Sequence, residues 1–137
     1  MSGSLTTHEA LIHTMVMMSA ADSSMTDAEL LVMGDIVKIL PVFKGFDRET
    51  LVRVAAQCGE RMAADNGLTD TLDLIVSSLP KKLHDTAYAL AVEVAAADLK
   101  LQQEELRMLE LLRNKLSLDA LTTAAIERSV QARYRMV

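Results

Sequence analysis

A chain of 137 residues has the length of one ordinary domain, 1–137, and can bury roughly two thirds of its unfolded surface. Half of its residues are apolar, yet it has only two Phe, two Tyr and no Trp, so the core must be built from Ala, Leu, Val and Met, which favours packed helices over sheets. The formal net charge of -5, with Lys and Arg dispersed apart from Arg128, Arg133 and Arg135, argues against nucleic acid as a partner, and the single Cys58 excludes an intrachain disulfide or a multi-cysteine zinc site.

The opening "MSGSLTTHEA" lacks the basic start and continuous apolar core of a signal peptide, which with the lone cysteine predicts a cytoplasmic protein. Thr6 and Glu9 have capping-box spacing, and Leu11, Ile12, Met15, Val16 and Met18 recur at helical intervals up to Ala21. Thr26 and Glu29 repeat that spacing ahead of a second helix carrying Leu30, Met33, Ile36, Val37 and Leu40, which Pro41 stops. After "PVFKGF", Asp47 can cap a third helix reaching about Ala64, and "DNGLT" marks the break to a short fourth helix ending near Ser78. Pro80 suits the first turn of a fifth helix that continues to about Ala97. Its apolar stretch, Ala87 to Ala97, is interrupted by Glu93 and is too short for a bilayer, so no direct membrane insertion is expected. A sixth helix spans about Gln102 to Leu116, and "SLD" opens a seventh.

The chain contains a repeat. "SAADSSMTDAEL" from Ser19 returns 76 residues later as "AAADLKLQQEEL" from Ala95. At that offset Leu30, Met33, Ile36 and Leu40 align with Leu106, Leu109, Leu112 and Leu116, and the apolar positions of the first helix align with Ala87, Tyr88, Ala91, Val92 and Val94. The expected fold is therefore an all-α bundle of about seven helices with two pseudo-symmetric helical hairpins.

The repeated joint admits two chemistries. With Thr26 as N-cap, Glu29 closes a capping box while Met25 and Leu30 form a hydrophobic staple. In the second copy Gln102 is a poor cap, but Leu101 and Leu106 keep the staple and Glu105 keeps its place. Asp22 and Asp98, by contrast, fall at helix C-termini, where a negative charge costs ~0.3–1 kcal/mol unless a cation or an Asx-turn compensates. Asp22 with Glu29, and Asp98 with Glu105, offer hard oxygens with no His or Cys nearby, a set suited to Ca²⁺, Mg²⁺ or Mn²⁺. It is not an EF-hand, whose denser ligand series and central Gly are missing.

The Ala-Ala-Asp turn with Glu seven residues after the Asp, set in paired helical hairpins, resembles the TerB-like tellurite-resistance family of bacteria over most of the chain. That resemblance implies a compact all-helical protein of the tellurite or metal stress response, with acidic residues proposed to bind metal and no established enzymatic activity. Members often place Gly directly after the Asp, where this chain has Ser23 and Leu99.

Other residues carry weaker signals. Met15, Met17, Met18 and Met33 read as flexible core filler rather than a thioether site, and His8, His13 and His84 lack ligand spacing. Cys58 reads as a buried inert thiol, and Glu93 as a narrow polar face on a central helix. No paired acid and base, phosphate loop or nucleophile constellation is present in the sequence, so no enzyme is expected. Two functions remain: a TerB-like protein binding a divalent cation through its Asp/Glu pairs, or a helical interaction module with purely structural turns. A protein partner, including a homo-oligomer, fits either.

Overall fold

The first helix begins where its capping pair stands. In the computed structural model, which describes residues 4–20, 27–97 and 103–137, α1 (Thr7–Ala20) opens with Thr6 N–H donating to Glu9 Oε1 at 2.9 Å and Glu9 N–H donating to Thr6 Oγ1 at 3.1 Å. This is the reciprocal box that the spacing predicts. It is followed by α2 (Asp27–Ile39), α3 (Leu51–Ala63), α4 (Gly67–Ser78), α5 (His84–Ala96), α6 (Gln103–Lys115) and α7 (Ala120–Arg133). No strand occurs among the described residues, and no helix there is long and apolar enough to cross a membrane.

The joints follow local chemistry, with two adjustments to the expected boundaries. Asp47 caps a 3-10 turn, Arg48–Thr50, that runs straight into α3; its carboxylate accepts Glu49 N–H at 3.0 Å. Pro80 likewise precedes a 3-10 turn, Lys81–Leu83, and α5 starts only at His84. Between α3 and α4 the break falls at Asn66, held at a left-handed φ of 60°, a conformation Asn tolerates better than most residues. The next residue must be Gly67, because a Cβ there would lie 2.4 Å from the carbonyl oxygen of Met62.

Helices α1 and α5 are the centre of the bundle. Every residue from Ala10 to Ser19 is buried, as are most of Ala87 to Ala95, the pattern of helices covered on all sides. They pack on each other, and each carries a flanking helix in the same way, α3 on α1 and α7 on α5. The second helix of each repeat reaches across: α2 lies on α5, and α6 touches α1 as well as α5. Helix α4 fills the side of α1 and α3 and extends to α6.

The pseudo-symmetry holds residue by residue. Leu11, Ile12, Met15, Val16 and Met18 are buried, and so are their counterparts Ala87, Tyr88, Ala91, Val92 and Val94. Met33 and Ile36 match Leu109 and Leu112 in the same way. Leu40 alone is only partly covered where its counterpart Leu116 is buried, because Pro41 ends α2 and turns the chain outward. The four methionines of the expected filler, Met15, Met17, Met18 and Met33, all belong to this core.

Candidate functional site

The two motif glutamates stand at the third residue of α2 and of α6. Both are 0% exposed, whereas the leucines that follow them, Leu30 and Leu106, are 49% and 45% exposed. The third helical position expected for each glutamate is where each stands, and its burial follows from helix phase. Glu29, Met33, Ile36 and Val37 form one i, i+4, i+7, i+8 stripe, and Glu105, Leu109, Leu112 and Leu116 continue one line, so the carboxylates occupy the inward stripe itself.

Burying a carboxylate without partners is strongly unfavourable. Glu29 and Glu105 are each engaged in an interaction of their own, and a first-turn anion is further stabilised by the unpaired N–H groups of the helix end. Asp22 and Asp98 lie outside the described residues, as do Met25, Thr26, Leu101, Gln102, Ser23 and Leu99. Among the described residues no three His, Cys, Asp or Glu side chains converge as a metal-sized group.

A second polar region lies inside the first half and gave little sign of itself in the sequence. His13 is fully buried on α1, its Nδ1–H donating to the Glu9 carbonyl at 2.8 Å. Burial holds its pKa below the usual 6.5, against the Glu9 hydrogen bond, and the Arg61 charge adds to the lowering. Cys58 on α3 is fully buried and donates weakly to the His13 carbonyl at 3.6 Å; desolvation pushes its thiol up to about 12, the mark of an inert cysteine.

On the other side, α6 and α7 each rest on α5 and leave a groove of about 800 Å³ between them. Its floor is Val92, Ala95, Leu109 and Val130, and its rim carries Arg107, Arg113 and Arg135. Of its lining, Glu127 Oε2 accepts from the buried Tyr88 at 2.5 Å, and Arg113 donates to the Tyr88 oxygen at 3.2 Å and reaches the same carboxylate at 3.5 Å. At the far end Tyr134 donates to Glu93 Oε2 at 2.8 Å, and Glu93 is also paired with Arg133. Glu93 thus has a structural assignment as the anchor of the α7 C-terminus. Comparison with known protein families, curated proteins and solved structures returns no match to this chain.

Proposed function

We propose that this is a non-catalytic, TerB-like protein of the tellurite or metal stress response that binds a hard divalent cation through its repeated acidic joints. The observation that carries the reading is the complete burial of Glu29 and Glu105 at equivalent places while the adjacent leucines face solvent. A glutamate needed only for capping works equally well at a helix rim. Two carboxylates drawn into the inward stripe at the same repeat position argue for a purpose beyond capping. Asp22 and Asp98 supply the second oxygens of each pair, and Ca²⁺, Mg²⁺ or Mn²⁺ would complete its shell with water.

The test is calorimetric titration of chelator-treated protein with Ca²⁺, Mg²⁺ and Mn²⁺, together with thermal melts. A cation at 100 times its Kd stabilises the fold by about 2.7 kcal/mol. Asp22→Asn and Asp98→Asn keep turn-forming capacity and remove charge, so each should abolish that gain while leaving the metal-free melting temperature nearly unchanged. Absence of heat and of stabilisation at millimolar cation would reduce the motif to a helix joint. The interaction-module reading is favoured by a different observation, the open groove between α6 and α7.

A further inference from the structure

The groove and one exposed helix face of the same chain complement each other. The trough between α6 and α7, about 800 Å³, has an apolar floor flanked by charged side chains, the combination by which grooves take an amphipathic helix. Its lining carries three arginines, Arg107, Arg113 and Arg135, and two glutamates, Glu110 and Glu127. Of the rim arginines, Arg113 is tied to Glu127, whereas Arg107 and Arg135 are exposed and form no ion pair among the described residues.

Helix α2 carries the opposite surface. Leu30 is 49% and Leu31 is 69% exposed, and both are flanked by the exposed Asp27 and Asp35, neither of which forms an ion pair among the described residues. Asp27, Leu31 and Asp35 follow one another at i, i+4 and i+8, a single stripe along the helix. The two unpaired acids of this face and the two unpaired arginines of the groove are opposite in sign.

We propose that the α6–α7 groove receives α2 of a second copy of this chain, the leucines resting on its floor and Asp27 and Asp35 meeting Arg107 and Arg135. In an isologous dimer each copy gives its α2 and receives its partner's, so both contacts close about one two-fold axis. Exposed charge pairs make the association salt-dependent. The inference is independent of cation binding, so its test is run in chelator.

Sedimentation velocity of the full chain, from micromolar to millimolar concentration, should show a reversible dimer that weakens as salt is raised. The double variants Arg107→Glu/Arg135→Glu and Asp27→Lys/Asp35→Lys, all at exposed positions and checked for folding by circular dichroism, should each raise the Kd at least tenfold. Mixed together they restore both contacts with complementary charge and should form a heterodimer within a few-fold of the wild-type Kd. A wild type that stays monomeric, a dimer indifferent to either variant, or a mixture that fails to associate would each overturn the proposal. A wild-type monomer that instead binds an added acidic amphipathic peptide would assign the groove to another protein.

Discussion

The halves α1–α3 and α5–α7 share a burial pattern and almost none of its chemistry. In the first, Met15, Met18 and Met33 fill positions taken by Ala91, Val94 and Leu109 in the second. The connection after α2 is long and aromatic: His8 donates to the Val42 carbonyl at 2.8 Å and packs on Phe43 and Phe46 at ring distances of 5.6 and 5.4 Å. The connection after α6 is short. Ser117 takes a left-handed φ of 56°, Leu118 N–H returns to the Arg113 carbonyl at 3.2 Å, and Asp119 starts α7, a Schellman-type stop with serine in the place glycine usually takes. What both halves keep is the geometry of inward positions, and one of those positions is a glutamate in each. Shape is conserved between them where composition is not.

Large-to-small changes are the hardest test of that equivalence. Met33→Ala and Leu109→Ala should each cost about 2–5 kcal/mol in urea unfolding. A loss near zero at either would break the correspondence. Next comes the inversion at the joints. Glu29→Gln and Glu105→Gln should each cost about 1–3 kcal/mol, because each disturbs the interaction of a fully buried polar group, whereas Leu30→Ser and Leu106→Ser should stay within about 0.5 kcal/mol. The reverse ranking in the same unfolding series would show the leucines, not the glutamates, holding the joints.

The glycines sharpen the comparison at a smaller scale. Gly67→Ala forces a methyl onto the carbonyls of Met62 and Arg61 and should destabilise by about 1–3 kcal/mol. Gly34→Ala and Gly59→Ala meet open space inside helices and should stabilise by about 0.5–1 kcal/mol, read as higher denaturation midpoints.

Titration gives the gentlest effects, and two of them belong to the first half. His13 has a folded pKa below its unfolded 6.5, so the unfolded chain binds the extra proton and stability should fall as pH drops below about 6.5. His13→Gln should flatten that acid limb in pH-dependent unfolding curves. Cys58 is raised from 9.0 to about 12, so its contribution is intact below 9.0 and is lost as pH climbs through that interval. Cys58→Ala should remove this part of the alkaline decline.

Most of the fold was legible because apolar periodicity and capping chemistry are local. Thr6 with Glu9 marks the start of α1, Pro41 the end of α2, and the offset of 76 aligns positions that are buried in both halves. The site was legible in composition but not in direction. Two stripes share Met33 and Ile36, one beginning at Leu30 and one at Glu29, and hydrophobicity alone favours the leucine. The burial of Glu29 is decided by the packing of α2 on α5, a contact between segments far apart in sequence. His13 was invisible for a similar reason, since its neutrality depends on the cover that α3 provides. The groove is lined by residues of α5, α6 and α7 drawn from separate stretches of the chain, which no local pattern encodes.

The placement of the tyrosines gives the molecule an uneven optical signature. Without tryptophan, near-ultraviolet absorbance and emission come chiefly from Tyr88 and Tyr134, and both phenols donate to glutamates where α5 meets α6 and α7. Burial, and then the hydrogen bonds to their carboxylates, lift both from 10.0 to about 12. A jump to a pH between those values therefore produces phenolate only where the α5–α7 side has opened, while α1–α3 remains dark to the same lamp. Followed beside backbone circular dichroism, the phenolate signal acts as a clock for one half of the protein, and the lag between the two traces measures how far the halves unfold together.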